Sequence, residues 1–236
     1  MNRSVKLSRR VSIDRQDGFA TVFARLSLRS GVTQWVENPE GGRDRGPVAA
    51  ARAWGEVLVR PRRLFRSAVA PADQAPGLAF AASVVFVEEL TRVLTGTAAY
   101  PVLGNRPTVS VLFWLTIATV LVAPAGLHLL AALQTLILIP FTGERAGVSE
   151  TVQVIAYAGA PCVFAGLPVP ELRLLAAAYG AVLLVVGMSE VHDLSVPAAA
   201  ALSAVPSALV FGYAFRGFAS VSTLTGLTWA DVTALA

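Results

Sequence analysis

Charge is scarce in this 236-residue chain, at 14% of residues, and there is one cysteine, one lysine (Lys6) and only two histidines. Each scarcity excludes something. The lone Cys162 closes no internal disulfide and, in an apolar run, reads as a small hydrophobe. His128 and His192 belong to no HExxH pattern, so a zincin site is excluded. The absence of GxSG, GxGD, Walker and GxGxxG patterns removes intramembrane serine or aspartyl proteolysis and nucleotide binding. What is abundant is apolar: 55% of residues are hydrophobic, and the mean hydropathy is positive. A soluble domain of this size cannot hide so much apolar surface. The chain is solvated by lipid.

The charge that exists is unevenly placed. Of the 19 Lys and Arg, fourteen precede Pro76 against seven acids, leaving +7 there and −3 over the rest. On a membrane body, a basic arm of this kind points to anionic inner-leaflet lipid and to topology rather than to nucleic acid. The first 30 residues hold no continuous apolar run, so no cleavable signal peptide is expected and the first true span directs insertion. Residues 1–31 read as a translated leader ahead of a start at Val32, and 1–46 as a weakly ordered arm.

Runs of about 20 apolar residues mark spans. The first covers 77–95 and the second is the long run 109–139. At ~1.5 Å per residue the long run measures about 46 Å against a core of about 30 Å, so one kinked, tilted helix divided at Pro124 is expected. A weaker span, 152–167, carries Gln153, Tyr157 and a break at Pro161, and 172–188 and 196–215 follow. The fold class is therefore an all-α integral membrane protein, a five-helix transmembrane bundle over 77–215 with a tail from 216 to 236. Small residues four apart, such as Ala176 and Gly180, suit close helix packing in lipid. Before the bundle, 47–76 form a basic juxtamembrane segment whose helix Pro47–Val59 is amphipathic and interfacial. There Trp54 and Phe65 are expected to anchor in the headgroup region while Arg60, Arg62, Arg63 and Arg66 face phosphate and hold the N-terminus cytoplasmic.

Two clusters raise the question of chemistry. Glu88 and Glu89 fall inside the first span, where carboxylates are costly and functional by default. EELTR is similar to the EExxxR motif of CAAX-type membrane proteases, but Arg92 arrives one residue early and the companion histidine motifs are missing. The residue spacing instead predicts a Glu88–Arg92 pair at i, i+4. The second cluster, VVGMSEVHDLS, ends an apolar run with Glu190, His192 and Asp193. These three are too close together to surround a tetrahedral metal without other ligands. A helix end emerging into water needs polar termini, and Ser195 before Val196-Pro197 supplies the next N-cap. Glu190, His192 and Asp193 are thus expected to connect or dock at the cytoplasmic interface, with Glu190 or His192 hydrogen-bonding to a neighbouring loop such as TGERAGVSE.

Three stretches also carry a family resemblance. WGEVLVRPRRLFRSAVAPADQAPGLAFA resembles the opening of the Yip membrane domain, through Pro61, Arg62, Leu64, Phe65 and Arg66. GVSETVQVIAYAGAP is similar through Gly147, Thr151, Ala156, Tyr157 and Pro161. AAAYGAVLLVVGMSEVHDLSVPAAA is similar through Gly187, Glu190, Val191, His192, Ser195 and Ala198, with the family's lysine missing. Together they cover about 35–215, and the TQWVENPEGG head resembles members from halophilic archaea. The resemblance implies five membrane helices with a cytoplasmic N-terminus. Eukaryotic members act in vesicle traffic and GTPase binding; the resemblance supplies no activity for a prokaryotic one. The reading is a non-enzymatic scaffold that organises membrane or docks protein at the cytoplasmic face, with no cofactor or metal. Its partners are the anionic bilayer, a membrane or cytoplasmic protein, and a second copy of the chain. The rival is a small-solute or ion transporter using Glu88 and Glu89. A hydrated cavity reaching those carboxylates favours transport, and closed packing favours a scaffold.

Overall fold

A computed structural model of the chain describes residues 46–142 and 146–227. The expectations for the arm up to Arg45, for the leader 1–31, and for the tail beyond Leu227 lie outside the described residues, as do three residues of TGERAGVSE.

All regular structure among the described residues is helical. The helices are α1 (Pro47–Val59), α2 (Pro61–Ala68), α3 (Ala75–Leu94), α4 (Pro107–Leu138), α5 (Val148–Ala158), α6 (Pro170–Val191), α7 (Val196–Leu202), α8 (Ala204–Ala214) and α9 (Gly217–Thr225). Two of them, α4 and α6, are long and apolar enough to cross a membrane, and the pair α7–α8, bent by 60°, makes a third if it is one span. The sequence count of five rests on α3, which carries Glu88, Glu89 and Arg92, and on α5, which is short.

The core centres on α5. Every residue from Thr151 to Ala158 is buried, and a helix apolar on all sides belongs inside a bundle. Its neighbours are α3, α4 and α6. Gln153 is fully buried here for a local reason. Its amide donates to the carbonyl of Ala70 at 2.7 Å and accepts from the Ala70 N–H at 3.1 Å, so it satisfies backbone in the turn between α2 and α3 that no helix satisfies. After Ala158 the chain tightens into a 3₁₀ turn over Ala160–Phe164, where Pro161 lacks the N–H that would continue the helix.

The long run is one continuous helix of 32 residues. Pro124 does not break it. Instead the helix widens to a π-turn over Ala118–Val122, immediately before the proline, which absorbs the missing hydrogen bond. Ser195 caps α7 as the sequence predicts, accepting from the Ala198 N–H at 3.4 Å.

Two expectations change. The stretch read as the start of a tail contains α9, which folds back on α6; a Cβ on Gly217 would lie 3.0 Å from that of Ala177. The juxtamembrane segment, in turn, packs alongside the bundle. The Tyr179 hydroxyl donates to the Leu58 carbonyl at 2.5 Å, Phe65 packs at Gly187, and Arg66 reaches Glu190, so α1 and α2 climb α6 in order. Of the apolar face Ala50, Trp54, Val57 and Leu58 that suggested an interfacial helix, Val57 is buried and the other three pack half-buried against the core. An amphipathic pattern specifies a buried face without saying what buries it.

Candidate functional site

Two polar clusters stand toward opposite ends of the bundle. At the end where α2 meets α6, Glu190 is held between two guanidiniums: Arg62 Nη1 donates to Oε1 at 3.1 Å and Arg66 Nε to Oε2 at 2.5 Å. Local sequence explains the geometry. Pro61 ends α1 and starts α2, and the next turn buries Leu64 and Phe65 at 0% and 1% exposure. That rotation leaves Arg62, Arg63 and Arg66 outward, their side chains 60%, 60% and 68% exposed, while Glu190 is only 8% exposed. Arg63 also pairs with Glu56 at 3.1 Å. The ion pairs themselves, screened on the arginine side, contribute little to stability. What they do is orient.

Beside this latch, His192 is buried at 2% exposure. The Thr151 hydroxyl donates to the Gly147 carbonyl at 3.1 Å and shares a hydrogen bond of 3.2 Å with His192 Nε2. His192 thereby ties the end of α6 to the first turn of α5, one residue past the loop the sequence named. Asp193 is a turn residue with φ 51°, a backbone region aspartate tolerates better than most residues. Among the described residues, Glu190 has no partner in that loop. Its partners are Arg62 and Arg66 of α2, which joins two of the expected topology residues to the expected docking cluster.

Two of the expected interface anchors are protein contacts. Phe65 lies in the core because α2 packs on α6, and a Cβ at Gly187 would touch its ring. Trp54 is half-buried, its indole N–H donating to the Ala160 carbonyl at 2.8 Å. That carbonyl is freed where α5 breaks, so the tryptophan satisfies backbone that the helix no longer serves.

The second cluster surrounds Glu88, whose pairing differs from the expected one. Glu88, 3% exposed, is bound by Arg216 Nη2, while Arg92 Nη1 spans both oxygens of Glu89 at 2.9 and 2.8 Å. Glu88 continues the buried stripe Phe80 and Val84, so it faces the bundle interior, where only a cation from another helix can meet it. Arg216 comes from the turn between α8 and α9, at φ 59°. Tyr100, in the loop after α3, donates to Glu89 Oε2 at 2.5 Å; burial, and then the carboxylate beside it, push its phenol up and keep it a donor. Sequence reasoning missed Arg216 and Tyr100, since neither has a local spacing to Glu88 or Glu89. The available signal was charge balance: one arginine closes the last apolar run, and one glutamate had no partner. His128, the other histidine, bonds the Pro124 carbonyl of its own helix at 2.7 Å.

Next to this cluster lies a cavity of about 310 Å³, lined by Glu88, Glu89 and apolar residues from α3, α4, α5 and α8 and the turns that follow α5 and α8.

A family model, the Yip1 domain, matches residues 55–216, more than half of the chain. No curated protein matches the sequence. No solved structure matches it either.

Proposed function

Because the chain belongs to the Yip1 domain family, and is a membrane protein with apolar helices long enough to cross a bilayer, we propose that it acts as a non-enzymatic docking scaffold. The observation that carries this reading is the α2 platform: three outward arginines on a helix fixed from below by Leu64 and Phe65 and from the side by Glu190. Preorganised guanidiniums bind carboxylate or phosphate with little ordering cost. They suit an acidic partner segment or anionic headgroups at the membrane surface. We place this end on the cytoplasmic side, which the arginine excess favours. The crossings are then α3, α4, α5 with its 3₁₀ turn, α6 and the bent pair α7–α8.

The test is site-specific crosslinking in native membranes. Val59 is 76% exposed beside the arginines, and Val102, 58% exposed, lies in the loop between α3 and α4. A photocrosslinking residue at Val59 is expected to give discrete adducts that vanish when Arg62, Arg63 and Arg66 are all changed to Gln. An adduct pattern at Val59 that matches the one at Val102, or that survives the triple change, contradicts the docking role.

The transporter reading draws on the cavity at Glu88 and Glu89. Its walls are apolar and both carboxylates carry a guanidinium partner, which argues against a polar path through it.

A further inference from the structure

Docking at the arginine end leaves the other cluster with an excess of positive charge. Its two acids, Glu88 and Glu89, share a hydrogen bond with each other besides pairing with Arg216 and Arg92. A third guanidinium, Arg173 in the first turn of α6, stands close enough to Arg216 for the two to repel. Guanidiniums stay charged in any protein environment. Three cations therefore meet at most two negative charges in a partly desolvated site, which is costly unless an anion joins them.

Uncharged groups hold Arg173 in place. Its Nε and Nη2 donate to the carbonyls of Ala165 and Leu167 at 2.9 and 3.2 Å, and it has no ion pair among the described residues. Glu171, two positions away, is exposed and lies on another face of α6. Backbone dipoles thus position the side chain while its charge stays uncompensated.

The hydrogen-bond donors agree with the charge. Arg92 gives Glu89 only Nη1, and Arg216 gives Glu88 only Nη2. The Nε–H of each is buried and has no acceptor among the described residues, a costly arrangement. Guanidiniums take oxyanions through pairs of parallel N–H···O bonds. Neither side chain is sealed, Arg92 being 17% and Arg216 24% exposed. Spare donors on two arginines and the charge of a third suit an anion with three terminal oxygens, which a phosphate group has and a carboxylate lacks.

We propose that Arg92, Arg173 and Arg216 form a site for a phosphate group, supplied by the headgroup of a phosphomonoester lipid or by free phosphate. The oxygens accept from the Nε–H donors of Arg92 and Arg216, and the charge neutralises Arg173. This site is separate from the arginine platform, so either assignment can fail without the other.

The test follows the melting temperature of the full-length protein in dodecyl maltoside, prepared without phosphate. The probes, added at equal ionic strength, are dioctanoyl-phosphatidate, dioctanoyl-phosphatidylcholine, sodium phosphate and sodium acetate. Phosphatidate is expected to raise the midpoint by about 5 °C at saturation, and phosphatidylcholine and acetate to leave it in place. A rise with sodium phosphate shows that the free ion suffices; a rise with phosphatidate alone assigns the lipid. Arg173→Gln removes the excess charge and strands no carboxylate, and it should weaken the apparent affinity about tenfold, as loss of a hydrogen bond to a charged group does. Changing Arg62, Arg63 and Arg66 together to Gln should leave the response intact. A midpoint indifferent to both phosphate probes, an equal rise with acetate or phosphatidylcholine, full affinity in Arg173→Gln, or a response lost with the triple change overturns the proposal. Should either variant not fold, the other decides, together with the four probes on the unaltered protein.

Discussion

Arg216→Met is expected to lower the melting temperature in detergent by about 10 °C, the largest effect of any single charge removal in this protein. The change strands Glu88, whose side chain is 4% exposed against 24% for Arg216. Removing one member of a buried ion pair costs about 3–5 kcal/mol, and for a domain of this size each kcal/mol moves the midpoint by about 2–4 °C. The sharper expectation concerns the double variant. Glu88→Met with Arg216→Met replaces the pair by apolar side chains of similar length, and such swaps are often neutral or stabilising. Most of the lost stability should return. A double variant as unstable as the single one would mean that the pair does more than neutralise itself.

Gly187→Leu is expected to abolish the folded, monodisperse protein. A Cβ at this position would lie 2.5 Å from Val154 Cγ1 and 2.9 Å from the Phe65 ring. Val154 and Phe65 are buried at 0% and 1%, so neither has room to yield. Overpacking a tight core typically costs about 1–3 kcal/mol; here it would also lift α2 from α6 and pull the arginines off Glu190. Gly187→Ala should be intermediate, and Phe65→Leu should partly restore it by shortening the side chain that collides. Normal yield and retention volume for Gly187→Leu would show that α2 does not pack on α6 as described.

Much of this fold is legible in the sequence because lipid imposes a simple requirement: every spanning backbone must satisfy itself. The apolar runs locate α3, α4 and α6 closely, and Ser195 with Pro197 locates the start of α7. Short-range devices were readable too, such as the bounds Pro47–Val59 of α1. Long-range partners were not. Nothing local to Glu88 announces Arg216, and nothing local to Glu190 announces Arg62 and Arg66, because those pairs are made by helices 128, 128 and 124 residues apart. The amphipathic stripe of α1 misled for a related reason. In a membrane protein a face of alanines and valines can meet lipid or another helix, and Trp54 chose the latter once the break at Pro161 exposed a carbonyl to it.

The topology behind the docking role is tested most directly by cysteine accessibility. Cys162 is buried and can be changed to Ala, giving a silent background. Asn105, Glu171 and Asp193 are exposed positions in the turns that follow α3, open α6 and follow α6. With five crossings and the arginine end inside, a membrane-impermeant maleimide applied to intact cells should label Asn105→Cys and Glu171→Cys at once. It should reach Asp193→Cys only after the membrane is permeabilised. Labelling of Asp193→Cys in intact cells, or Asn105→Cys and Asp193→Cys on the same side, would contradict a cytoplasmic arginine platform.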